Sequence, residues 1–301
     1  MIEDQKLDTK KEWCYECVNS IAKLKNNLKH KNFISFEIIK EIEIGYLFLV
    51  SCIINISGKK KLFILKKIEI NSSKQENELQ EEIKKIKSIN NKYIININNF
   101  FIKKEGNKKI MNILFDVYKY GNLEKIIYQA NYLNSRIIWK IFIQIILGLK
   151  ALYLNNIVID KLFLHNIFLD KERNVKIGGF FNVLDFNFKE NMSSSYISPE
   201  MLDSNSNNNK YDMWCLGCIL YELLYHKKPY GNEENSTVSI WSKSYEYELD
   251  FKQILLKLLC EEKKRLSFQE LMNDRIFRRK VIEINLFDEI INKDDIKGKN
   301  I

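Results

Sequence analysis

Cys14 and Cys17 are the first residues along the chain whose types and spacing could do chemistry. Two thiols so spaced can help hold zinc or cycle through a disulfide. A zinc site needs a second pair, and no Cys or His pair follows at a suitable interval, so neither use is expected. The other four cysteines are scattered, with Cys215 and Cys218 inside an apolar stretch, which is a reduced, intracellular pattern rather than a disulfide framework. A hydroxyl run, Ser193, Ser194, Ser195 and Tyr196, offers acceptors for phosphate. Lysines cluster at 59–61 and at Lys103, Lys104, Lys108 and Lys109, and the formal charge is +9 over 301 residues. Acidic residues are interspersed throughout, so these lysines read as solvated faces, and no nucleic-acid partner is expected.

The elements that must position any site fall into two regimes. Residues 1–32 are polar and Lys-rich, with an amphipathic helix compatible with 13–25. Short β-rich runs then occupy 36–42, 46–56 and 61–70, with Asn55 to Lys60 as a turn. Helical spacing sets in over 74–89, where Leu79, Ile83, Ile86 and Ile89 share a face. Strands follow at 94–103 and 110–117, joined by Glu105-Gly106-Asn107. Beyond Gly121 the pattern is mostly helical: a long apolar-faced helix at 135–155, a strand-rich stretch at 157–178, a helix apolar nearly all round at 210–226, and shorter helices at 250–262 and 267–280. The apolar segments 137–149 and 213–225 are interrupted or too short to span a bilayer, so no membrane span is expected. Residues 1–30 carry no apolar signal-peptide core, and a cytoplasmic or otherwise intracellular location is expected. A β-rich front followed by a helical remainder suggests two lobes with a cleft between them.

Several short strings occur in a fixed order: Phe63-Ile64-Leu65-Lys66; Glu82 on the helix; Phe115-Asp116-Val117-Tyr118 with Gly121-Asn122-Leu123; Asn166-Ile167-Phe168-Leu169; Val175-Lys176-Ile177-Gly178; Ser198-Pro199-Glu200; Asp212-Met213-Trp214-Cys215-Leu216-Gly217; and Arg265. Together they resemble the landmarks of the eukaryotic protein kinases over 36–277. The stretches around Asn166, Tyr196 to Glu200 and Asp212 to Leu223 are most similar to the NIMA-related serine/threonine kinases. That resemblance implies an α+β fold with a β-rich N-lobe over 34–116 and a helical C-lobe over 117–280. A polar extension (1–33) would precede it and a tail (281–301) follow it.

The resemblance also implies a residue-by-residue comparison with phosphoryl-transfer machinery. Lys66 and Glu82 match the phosphate-anchoring lysine and its helix carboxylate. They either still bind nucleotide or persist as a fold-holding ion pair. Asp116 and Tyr118 fall at the hinge that holds the nucleotide, and Asn166 matches the ligand of the second metal ion. Lys161 stands at the catalytic base, with Ile159 and Asp160 before it; a loop one residue longer would instead make Asp160 the base. Gly179 stands where the metal-binding aspartate is expected, followed by Phe180 and Phe181. Glu43, Gly45 and Phe48 fall at the three positions of the glycine-rich loop, where Glu43 adds charge and Phe48 adds bulk at the tip. Glu200, Arg265 and Asp212 match structural positions: a buried ion pair, and a brace for the catalytic loop. Asp160 replaces the arginine that would receive an activation-segment phosphate, so the hydroxyl run lacks its partner.

These matches lead to the expectation of a pseudokinase, a binding, scaffolding or allosteric module. The alternative is a weakly active or atypical ATP-dependent serine/threonine kinase. No cofactor is required on this reading, and ATP without Mg²⁺ is the nucleotide mode left open. A protein partner is expected, an active kinase among the candidates. Restoring both carboxylates, with Lys161→Asp and Gly179→Asp, is the substitution test that the sequence suggests.

Overall fold

The fold is described from a computed structural model over residues 35–43, 46–53, 60–130, 133–157, 159, 162–181, 196–202, 210–229 and 249–284. The helix read at 13–25, the turn before Lys60, Asp160, Lys161, the serines at 193–195 and the 290–301 stretch lie outside these residues. Backbone packing divides the described chain into two compact units.

The smaller unit is a five-stranded antiparallel sheet. Its strands are β1 (Ser35–Glu43), β2 (Leu47–Ile53), β3 (Lys60–Ile70), β4 (Ile97–Glu105) and β5 (Lys108–Asp116), in the order β1-β2-β3-β5-β4. Side chains alternate across a strand, so register fixes the faces. Leu65 lies opposite Phe48 and Leu114, and Phe63 lies opposite Val50. These residues and Cys52 form a buried apolar cluster on one face, with Phe101 packed against it. Phe48 was expected at the tip of a phosphate loop; it is instead 8% exposed within this cluster, because its partner Leu65 points the same way.

The larger unit begins with α1 (Ser73–Ser88). Ser72 caps it by accepting from Gln75 N at 3.1 Å, and Leu79, Ile83 and Ile86 are buried. The sequence pattern grouped this helix with the strands in 34–116, whereas its backbone packing is with 118 onward. The stitching is visible just after it. Ile177 N donates to Tyr93 O at 2.7 Å, Ile95 N donates to Ile177 O at 3.0 Å, and Ile94 forms a parallel bridge to Ile177. That pairing removes 94–96 from the strand expected at 94–103, so β4 starts at Ile97.

The rest of this unit comprises α2 (Leu123–Gln129), α3 (Ser135–Leu154), the hairpin β6 (Ile167–Leu169) and β7 (Val175–Ile177), α4 (Tyr211–Tyr225), α5 (Leu249–Leu258), α6 (Phe268–Asn273) and a helix over 275–284. As its composition predicts, α4 is buried nearly all round. With 20 residues, α3 is long and apolar enough to cross a membrane by length and composition alone, a test that a mostly buried core helix also passes. Its apolar positions are mostly buried here, with Trp139 stacked on Phe251 at 4.3 Å. Gly148 brings α3 against β7, since a Cβ there would stand 2.6 Å from Ile177 Cδ1. Buried Gln144 fixes the same junction, accepting from Val175 N at 2.9 Å and donating to Asn174 at 3.0 Å. The helix expected over 267–280 is broken at Asp274, whose extended backbone ends α6. Its carboxylate then accepts from Ile276 N and Phe277 N, which starts the next helix.

Candidate functional site

In the sheet unit, Lys66 sits in the middle of β3, half-buried, opposite Leu47 and Ile113. It shares a face with Ile64 and Ile68, opposite the apolar cluster. Asp116 ends β5 opposite Phe63, on the cluster face. Its carboxylate accepts from Lys61 Nζ at 3.2 Å and from Asn98 Nδ2 at 2.8 Å. It therefore ties three strands together from the face opposite Lys66.

In the helical unit, Glu82 is half-buried on α1. It lines a cavity of about 500 Å³ with Asn77, Glu78, Glu81, Lys85, Asn156 and Ile157. Tyr118 stacks on Phe168, with ring centroids 5.8 Å apart and planes at 28°. The amide N–H of Asn96 donates to the Tyr118 hydroxyl at 3.2 Å. This aromatic pair was not evident from the sequence, because nothing in the spacing of residues 118 and 168 signals a contact. Beside it, Gly178 N donates to Asn166 O at 2.8 Å.

The next residue carries the most consequential geometry. Gly179 has φ +84°, a conformation that side-chain-bearing residues rarely adopt. A Cβ at 179 would stand 2.8 Å from Asn166 Nδ2, 2.9 Å from its Cγ and 3.0 Å from its Cβ. On this backbone the Asn166 side chain stands against the place a Cβ at 179 would take. Phe180 and Phe181 follow, both buried, with ring centroids 6.2 Å apart. Phe181 itself has φ +65°, a left-handed state costing about 1–2 kcal/mol in an L-residue. Burial of both rings supplies the counterweight that holds this conformation. Gly179→Asp, half of the restoration test that the sequence suggests, would therefore meet both the left-handed backbone and the Asn166 side chain. Of the position expected for the base, Ile159 is described and buried, whereas Lys161 is outside the described residues.

The residues read as structural form two networks. Arg265, 1% exposed, makes a two-pronged bond to Glu200, with Nη2 donating to Oε2 at 3.0 Å. It also donates to the carbonyls of Cys260 and Lys210 at 2.9 and 3.2 Å, and lies 4.8 Å from the Trp214 ring. Burial pushes the Glu200 carboxyl up, but its bonds to Arg265 and Ser198 and its own backbone outweigh this and hold it below the usual range. Asp212 accepts from the Tyr153 hydroxyl of α3 at 2.7 Å. Burial first, and the Asp212 charge second, push the Tyr153 phenol up. A residue that sequence reasoning passed over is Glu222, 1% exposed on α4, which accepts from the Tyr128 hydroxyl at 2.8 Å. Burial raises its carboxyl, with the Tyr196 and Tyr128 hydroxyls pulling it partway back. A glutamate in the otherwise apolar middle of the helix was the available signal.

The family model described as protein kinase domain matches residues 21–277. Among curated proteins, the chain is 28% identical over 177 residues to the serine/threonine-protein kinase nekl-2 of Caenorhabditis elegans, covering 54% of this chain and 48% of that protein. It is 28% identical over 214 residues to the serine/threonine-protein kinase Nek1 of Mus musculus, covering 65% and 17%. It is 26% identical over 197 residues to the serine/threonine-protein kinase Nek3 of Oryza sativa subsp. japonica, covering 62% and 33%. The chain thus spans half or less of the length of these relatives. The ordered motifs, the two units and the match over most of the length lead to one statement: the chain belongs to the protein kinase domain family and is similar to its NIMA-related serine/threonine kinases.

Proposed function

We propose that this kinase-family chain is a pseudokinase: an intracellular binding, scaffolding or allosteric module that does not transfer phosphate. The observation that carries this reading is Gly179, which stands at the family's metal-binding aspartate and is packed against Asn166. Phosphoryl transfer depends on positioning and on neutralising charge, with metal ions between protein and phosphates. Mg²⁺ is held through one or two carboxylates together with phosphate oxygens and water. The residues here do not fit that ion, because Gly179 offers no ligand and Asn166 only one neutral oxygen, on an amide whose Nδ2 and Cγ lie against the glycine. Among the described residues no group of three or more His, Cys, Asp or Glu stands together as a metal site. Lys161 at the base position points the same way, since a cationic amine does not accept the substrate proton. A protein partner, an active kinase first among candidates, is what such a module would serve.

A second reading, a weakly active or atypical ATP-dependent serine/threonine kinase, is favoured by one observation: Lys66 on β3 and Glu82 on α1 retain the family's phosphate-anchoring residues. The test compares wild type with Lys66→Ala in a radiometric transfer assay using ATP and a serine/threonine peptide. The expected result is no transfer above blank in either protein. Transfer by wild type that vanishes in Lys66→Ala would replace the first reading with the second.

A further inference from the structure

We propose that the Asn166–Gly179 contact is a device that shuts the site to divalent cations: Asn166 supplies the side chain that fills the metal carboxylate's place, and Gly179 is required for it to do so. The inference rests on the reading above that position 179 is the family's metal position.

Three observations converge. A Cβ at 179 would meet three atoms of one side chain at 2.8–3.0 Å, closer than real Cβ contacts come. The nearest two, Nδ2 and Cγ, belong to the amide that would otherwise be offered to an ion. The backbone on either side is fixed. Asn166 O accepts from Gly178 N at 2.8 Å, Asn166 N donates to Phe163 O at 2.9 Å, and the buried Phe180 and Phe181 anchor the far side. With the Asn166 backbone held, a Cβ at 179 must displace the Asn166 side chain or move the chain away from φ +84°. A missing carboxylate alone would leave room for a water or a substitute ligand. Here the room is occupied, so nucleotide entering this site would do so without a metal partner.

The experiment is a double-mutant cycle on thermal stability, using wild type, Gly179→Ala, Asn166→Ala and the double variant. Gly179→Ala is expected to lower Tm by roughly 5 °C through backbone strain and overlap together. In the Asn166→Ala background, which removes the two nearest atoms, the loss should shrink by about half, leaving the backbone part. Gly179→Asp is then melted with increasing MgCl₂ and is expected to be less stable than wild type, with no Mg²⁺-dependent rise. An equal loss in both backgrounds, or Gly179→Asp that matches wild type and gains stability with Mg²⁺, would overturn the proposal. Should Gly179→Asp not fold, the alanine cycle decides by itself. Failure of the pseudokinase reading is separate: wild-type phosphate transfer with a coupled cycle sinks that reading alone, whereas no transfer with an additive cycle sinks this one alone.

Discussion

Arg265 shows how much one residue can hold together. Its guanidinium joins Glu200, the carbonyls of Cys260 and Lys210, and the Trp214 ring, all from a position 1% exposed. Breaking a buried pair leaves an uncompensated charge, so Arg265→Ala should cost about 3–5 kcal/mol in a denaturant melt. Adding Glu200→Gln to it should cost less than the sum of the two single changes. Glu200, half-buried, and Glu222, buried, bend the pH profile in opposite directions. Glu200 titrates below its ordinary 4.5, so its stabilisation is present above pH 4.5 and is lost as pH falls through the lowered folded value. Glu222 titrates above 4.5, so its contribution is present below pH 4.5 and is lost as pH rises through the raised folded value. Glu222→Gln, which keeps an acceptor for Tyr128, should therefore raise Tm near neutral pH and leave Tm below pH 4 nearly unchanged. The opposite slope, a gain confined to acid, would show that the Glu222 carboxyl is not raised.

At the scale of elements, the junction of α3 with β7 is where the larger unit is most tightly drawn together. Gly148 and Gln144 act at that junction from the same helix, one by lacking a side chain and the other by bonding through one. Gly148→Ala should cost on the order of 1–3 kcal/mol by overpacking, and Ile177→Val should recover part of it by shortening the group it meets. Full stability of Gly148→Ala would mean that β7 yields freely. Much of this architecture was legible beforehand, because periodicity reports which face an element buries: α1, the nearly all-buried α4 and every strand of the five-stranded sheet fall close to their expected spans. What was not legible depends on partners distant in sequence. Phe48 read as a loop-tip residue until its pairing with Leu65 placed it in the cluster, and 94–96 read as strand until Ile177 claimed it. Of the site, the Gly179 substitution was plain from the motif order, whereas the Asn166 contact and the left-handed Phe181 needed coordinates.

At the scale of the whole molecule, the kinase-family match and the two compact units stand together, and the reading proposed for them is that of a binding module. A module of this kind is expected to bind rather than to turn over, and ligand binding to the native state must raise its melting temperature. If ATP is its ligand, the Tm shift should be the same in EDTA as in excess Mg²⁺; a shift that needs Mg²⁺ would mean another carboxylate stands in for Gly179. The packing at 179 also bears on how such a chain changes over generations. A glycine codon lies a single base from an aspartate codon, so mutation alone offers an easy road back. With Asn166 seated on the glycine and Phe181 held left-handed behind it, that first step loses stability before any activity could be regained. On the pseudokinase reading, the return would need compensating substitutions alongside it, and the loss would behave as a ratchet.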